Sequence, residues 1–111
     1  LKMRDFHDEG GAQGDTLIFS LKNHNQALEL EKALMNKGFG TKILPEAIDW
    51  HYGGAWGHIF QNEKPEDLET CFKQTGDLLR RSICLNISLN MTSANIDEIA
   101  TVIIDFCEDL N

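Results

Sequence analysis

From Ser82 to Leu89 apolar and polar residues alternate without interruption: Ile83, Leu85, Ile87 and Leu89 stand against Ser82, Cys84, Asn86 and Ser88. Successive strand side chains point to opposite faces, so this run places its aliphatic groups on one side of a sheet. Such a strand needs a cover over its apolar face, and the rest of the 111-residue chain must supply it. Two segments do so with a different period. Ala27, Leu28, Leu30, Ala33 and Leu34 recur at helical spacing, and so do Ile96, Ile99, Val102, Ile103, Phe106 and Leu110.

The ends of these helices are also written locally. Asn23 or Asn25 can cap the first, and Thr92 or Ser93 the last, because their side-chain oxygens accept from unpaired N–H groups of the first turn. Glu29 and Glu31 fall early and Lys32 and Lys37 late, as the helix dipole prefers. Gly38 follows as a C-cap glycine. Two further strands are expected over 16–21, where Thr-Leu-Ile-Phe-Ser-Leu is short, β-branched and aromatic, and over 40–44 before Pro45. Pro65 suits the first turn of another helix carrying Leu68, Cys71, Phe72, Leu78 and Leu79, with an interruption expected near Gly76. Residues 1–14 are polar and glycine-rich and read as a lead-in loop. They do not form a phosphate cradle, since no Lys-Ser or Lys-Thr pair and no helix follows. The order β-α-β-loop-α-β-α predicts a single α/β domain over 1–111. It is of the α+β two-layer kind, a three- to four-stranded sheet with helices packed on one face.

Composition narrows the function classes. A net charge of −8 argues against a nucleic-acid binder, whose affinity comes from Lys and Arg neutralising phosphates. No apolar run approaches the ~20 residues of a membrane span, and none has the form of a signal peptide. Cys71, Cys84 and Cys107 are too scattered for a disulfide framework or a zinc pattern, and each lies among apolar neighbours. A reduced, cytoplasmic compartment is expected. The first residue is Leu1, which suggests a fragment of a longer protein or a processed chain.

The least ordinary part of the chain lies between Pro45 and His58, where Trp50, His51, Tyr52, Trp56 and His58 are interleaved with Gly53, Gly54 and Gly57. Flat aromatic faces beside imidazoles suit a polar, ring-shaped ligand. A plain loop whose tryptophans pack onto the domain is the bland reading of the same residues. His51 and His58 do not have a metal-ligand spacing, and no cysteine completes a set. The carboxylates of Glu46 and Asp49 carry no fixed separation that would mark glycoside chemistry. At the start of the third strand, Arg80 and Arg81 offer guanidinium forks for a carboxylate or phosphate. A cation closing a helix C-terminus accounts for one of them without any ligand.

In order, these residues resemble the C-terminal domain of the DegT/StrS-type sugar aminotransferases, pyridoxal-phosphate enzymes of fold type I. Gly14-Asp15-Thr16-Leu17-Ile18-Phe19, after a lead of Arg4, Asp8 and Gly11, is similar to that family's entry strand. Ala33-Leu34 and Lys37-Gly38-Phe39-Gly40-Thr41 match its helix exit and next strand. Trp50-His51-Tyr52 stands where the family carries a Tyr-Pro-Pro segment followed by His, and Arg81-Ser82-Ile83-Cys84-Leu85-Asn86 resembles its Arg-led strand. A terminal helix led by Thr92 follows. Two positions depart from the pattern: Asn86 replaces the proline after the strand, and Gly53-Gly54 replaces Pro-Pro. Within the family the stretch from Thr41 to Ala47 followed by Trp50-His51 is most similar to the 8-amino-3,8-dideoxy-octulosonate transaminases.

The resemblance implies transfer of an amino group from an amino acid, commonly glutamate, to a keto- or aldehydo-sugar. Pyridoxal phosphate and the catalytic lysine would sit in an N-terminal large domain of the same protein, so no catalytic, cofactor-binding or metal residue is expected in this chain. It implies inactivity for the chain alone, a homodimer for the full-length enzyme, and a substrate-side wall here. His51, Trp56, His58, Arg81 and Lys42 are the expected substrate-binding residues. The residues taken without the resemblance leave two other readings open. One is a free-standing small-ligand-binding or regulatory α/β module, and the other an interaction domain whose aromatic segment is a partner surface.

Overall fold

A computed structural model describes residues 1–44, 51–60 and 65–110, with the side chains of Pro65 and Glu66 left out. Four strands form one antiparallel sheet: β1 (Lys2–Met3), β2 (Thr16–Ser20), β3 (Thr41–Lys42) and β4 (Ser82–Asn86), in the order β1-β2-β4-β3. The helices are α1 (His24–Asn36), α2 (Pro65–Cys71), α3 (Lys73–Arg80) and α4 (Ser93–Asp109). The fold is the expected α+β two-layer arrangement with a small sheet.

Register explains which side of the sheet is covered. Leu17 pairs with Leu85 and Phe19 with Ile83, so the apolar residues of the two central strands share a face. Against that face stand Ala27, Leu30 and Leu34 of α1 and Ile99 of α4, with Leu21, Phe39 and Ile43 closing the cluster. Phe19, Leu30, Leu34, Ile43, Ile83 and Leu85 are its largest fully buried side chains. Each is worth roughly 1.5–3 kcal/mol of apolar transfer. The opposite face carries Ile18 and Ser20 of β2 beside Cys84 and Ser82 of β4, with Lys42 of β3 next to Cys84.

The helix ends follow the chain's own signals. Asn23 caps α1 by accepting from the Gln26 N–H at 3.0 Å. At the other end the Gly38 N–H reaches Met35 O and the Phe39 N–H reaches Leu34 O, with Gly38 at φ 85°. That is a Schellman closure, which needs the left-handed conformation glycine adopts freely. Thr92 caps α4 in a reciprocal box with Asn95.

The structure departs from the alternation pattern and the helix signals at four points. The 1–14 lead-in contains β1, held by antiparallel pairing of Lys2 with Ser20 and Met3 with Phe19. Strand β3 is confined to Thr41–Lys42, shorter than the expected 40–44. Strand β4 stops at Asn86, so Ile87 and Leu89 are exposed instead of joining the core. There the Ile87 N–H donates to Asp15 O, and Ser88 starts a turn by accepting from the Met91 and Asn90 N–H groups. The helical stretch after Pro65 is offset at Phe72 and runs unbroken through Gly76.

Candidate functional site

Tyr52 organises the aromatic segment. Its ring is buried, and its hydroxyl donates to the Phe72 carbonyl at 3.2 Å, at the junction of α2 and α3. Glycines make this seat possible. A Cβ on Gly76 would lie 2.5 Å from the Tyr52 hydroxyl, and one on Gly54 2.4 Å from the Tyr52 ring. The guanidinium of Arg80 rests over the same ring, 5.9 Å from its centroid, and donates to Glu69 Oε1 at 3.2 Å.

From this pin a 3-10 turn, Gly53–Ala55, leads to Trp56, whose carbonyl accepts from the Ile59 and Phe60 N–H groups. Trp56 is half-buried, and His51 and His58 are exposed, as are Ile59 and Phe60. Three expected site residues, His51, Trp56 and His58, therefore share one short loop at the surface. Trp50, Glu46 and Asp49 lie outside the described residues.

Arg81 and Lys42 are positioned by other demands. Arg81 closes the C-terminus of α3, and its Nη1 donates to Leu21 O at 2.9 Å while its own carbonyl accepts from the Leu21 N–H. This guanidinium clasps the end of β2 onto the start of β4. Lys42 sits on the open face of the sheet beside Cys84. Along β4 the two positions are separated by about 10 Å, three strand residues.

A second cluster of polar groups lines a shallow groove of about 310 Å³ on α2 and α3, formed by Glu69, Thr70, Lys73, Asp77 and Arg80. None of the five expected site residues lines it. Lys73 Nζ donates to Asp77 Oδ2 at 2.6 Å. That hydrogen bond raises the Lys73 ammonium pKa and lowers that of the Asp77 carboxyl, in each case with help from the attraction between the two charges. Both groups are fully exposed, so the pair organises the surface more than it stabilises the fold. The signal for this cluster was present in the chain: positions 69, 73, 77 and 80 repeat at helical spacing.

The described lysines do not fit a Schiff-base role for pyridoxal phosphate, and Lys64 lies outside the described residues. Lys2, Lys22, Lys32, Lys37, Lys42 and Lys73 are all exposed, whereas a catalytic lysine of that kind is activated by desolvation or a cationic neighbour inside a pocket. Among the described residues no group of three or more His, Cys, Asp or Glu side chains could hold a metal ion. No described helix is long and apolar enough to cross a membrane. No family model, no curated protein and no solved structure matches the chain.

Proposed function

We propose that this chain is the C-terminal small domain of a DegT/StrS-type, pyridoxal-phosphate-dependent sugar aminotransferase, and that it supplies a substrate-side wall. The observation that supports this reading is the loop of His51, Trp56 and His58, held against the domain by the buried Tyr52. A half-buried indole and two exposed imidazoles on one short loop suit the hydroxyls and flat apolar patches of a sugar. The order of motifs from Arg4 to Thr92 supports it as well. The described lysines are exposed and do not fit the Schiff-base role. Pyridoxal phosphate would belong to a large N-terminal domain of the same protein. A cytoplasmic location accords with the same reading.

Arg81 has a reduced place in the proposal. With one nitrogen committed to Leu21 O, it acts first as a clasp and only through its remaining N–H groups as an anion contact. The test uses the longest open reading frame that encodes these residues. The purified product should bind pyridoxal phosphate with visible absorbance and transfer the amino group of glutamate to a keto- or aldehydo-sugar. The 111-residue chain alone should do neither. Replacing His51 and His58 together with alanine should raise the sugar KM about tenfold or more and leave cofactor absorbance unchanged. A full-length product with no cofactor absorbance, or with an unaltered sugar KM in the double variant, would overturn the proposal.

A further inference from the structure

The two layers of the molecule present outer surfaces of opposite character. On the open face of the sheet, Arg4, Ile18, Cys84 and Lys42 form one row that starts just past the end of β1 and crosses β2, β4 and β3. The Arg4 N–H bonds to Ile18 O in continuation of the β1-β2 register, Ile18 pairs with Cys84, and Cys84 with Lys42. Arg4 and Lys42 are exposed at the two ends of the row, and Ile18 and Cys84 are half-buried between them. Lys2 lies one row away and shares its charge with Asp5 at 3.8 Å, and Asp15 stands close enough to act on the Cys84 thiol. The net character of the row is an apolar centre between two cations.

Helix α4 carries the complement. It has five carboxylates, Asp97, Glu98, Asp105, Glu108 and Asp109, and no Lys or Arg. Ile99 and its neighbours face the core, but Ile96, Ala100 and Ile104 recur at i, i+4 and i+8 on a flank away from it. Ile96 is 54% exposed and Ile104 55% exposed. Glu98, paired with Lys37 of α1 at 3.6 Å, lies on the other flank, so α1 does not cover this stripe. Asp97 and Glu108 border it at helical spacing.

From these surfaces we infer that α4 of one molecule seats on the open sheet face of a second copy. The apolar stripe would cover Ile18 and Cys84, and its bordering carboxylates would meet Arg4 and Lys42. Dimensions agree with α4 lying across the strands: the row spans about 14 Å between the outer strands, and Asp97 and Glu108 stand about 16 Å apart along the helix axis. Charge selects this pairing over the symmetric one. Two α4 stripes packed together would set Asp97 and Glu108 of both copies against each other, whereas helix on sheet pairs opposite signs. The contact is heterologous, so a pair of molecules keeps one unused surface of each kind and assembly proceeds head to tail. This inference goes beyond the proposed transferase reading and does not depend on it.

Sedimentation velocity of the purified 111-residue chain over a range of concentrations tests it. Association should grow with concentration and weaken about tenfold between low and half-molar salt. Arg4→Glu with Lys42→Glu should give a monomer, and so should Ile96→Glu with Ile104→Glu. Mixed in equal amounts, the two variants should form a dimer that grows no further, because each retains the surface the other lacks. A readout on the unmodified chain guards against misfolded variants. Alkylation of Cys84 should slow about fivefold or more on concentration, as expected for a thiol covered by a partner helix, while that of the exposed Cys71 does not change. A parent chain that stays monomeric, a sheet variant that associates like the parent, or a mixture that remains monomeric would overturn the inference.

Discussion

Gly76 is the residue at which local preference and packing oppose each other most directly. Inside α3, alanine would be favoured over glycine by about 1 kcal/mol on helix propensity alone. Its Cβ would stand 2.5 Å from the Tyr52 hydroxyl and 3.0 Å from the ring carbon that bears it. Overpacking of this kind costs about 1–3 kcal/mol. Gly76→Ala should therefore lower the melting temperature, and it should cost less in a Tyr52→Phe background. A double-mutant cycle by urea unfolding measures that coupling. Cys84 gives a pH-dependent case at the same scale. Burial pushes its thiol pKa up, although Lys42 and Arg4 pull the other way. The folded state thus holds the thiol proton more tightly than the unfolded chain does. The stability this contributes is present below the ordinary thiol range and is lost as pH rises from that range through the raised value of the folded state. Cys84 should react with iodoacetamide more slowly than Cys71 at neutral pH, with a midpoint above that of a free thiol, and Cys84→Ser should flatten the alkaline fall in stability. Neither effect could be read from the chain. Sequence places Gly76 and Tyr52 24 positions apart, and nothing local says that one fills the space the other leaves.

Element boundaries were legible where a cap or a glycine closes a turn through its own neighbours. Asn23, Gly38 and Thr92 act over three to five residues, so their roles survive any tertiary arrangement. Thr92→Ala removes the hydroxyl that accepts from the Asn95 N–H, while the backbone N–H of residue 92 can still donate to Asn95 Oδ1. It should cost about 1 kcal/mol, seen as a lower urea midpoint with an unchanged slope. Thr92→Ser should restore most of it. The strand ends were less legible because partners set them. Alternation continues through Leu89, yet β4 stops where β2 begins, at the Thr16–Asn86 pair. The offset of the helical stretch at Phe72 in place of Gly76 has the same origin: the Phe72 carbonyl accepts from Tyr52, and the glycine accommodates that hydroxyl.

At the scale of the molecule, the two-layer architecture follows from matching periods, two in the strands and 3.6 in the helices, both with one apolar side. The candidate site was legible only in part. Its aromatic and imidazole content stands out in the sequence, and the loop does hold His51, Trp56 and His58 together at the surface. Arg81 and Lys42 are named from the strand start and the family resemblance, and the long-range partners that the fold gives them, Leu21 O for Arg81 and Cys84 of β4 beside Lys42, are not written in the local sequence. Leu85 concentrates the architecture in one side chain, since its backbone pairs with both Leu17 and Thr41 and its side chain is 1% exposed. Leu85→Ala should cost about 2–5 kcal/mol and unfold the sheet as a unit, so near-ultraviolet and far-ultraviolet circular dichroism should melt together.

The position of β4 between β2 and β3 also sets an order of events during synthesis. As the chain leaves the ribosome, β1 can pair with β2 and α1 can form, but β3 emerges with no strand to join. Among the described residues its one strand partner, β4, is made long afterwards, and α4, which completes the helix layer, later still. Until then the apolar faces of β2 and α1 are only partly covered, a condition in which nascent chains depend on chaperones. The last third of the polypeptide therefore acts as the closing piece. Ribosomes stalled before Asn86 should carry a protease-sensitive chain, and those stalled beyond the exit tunnel's reach of Leu110 a resistant one.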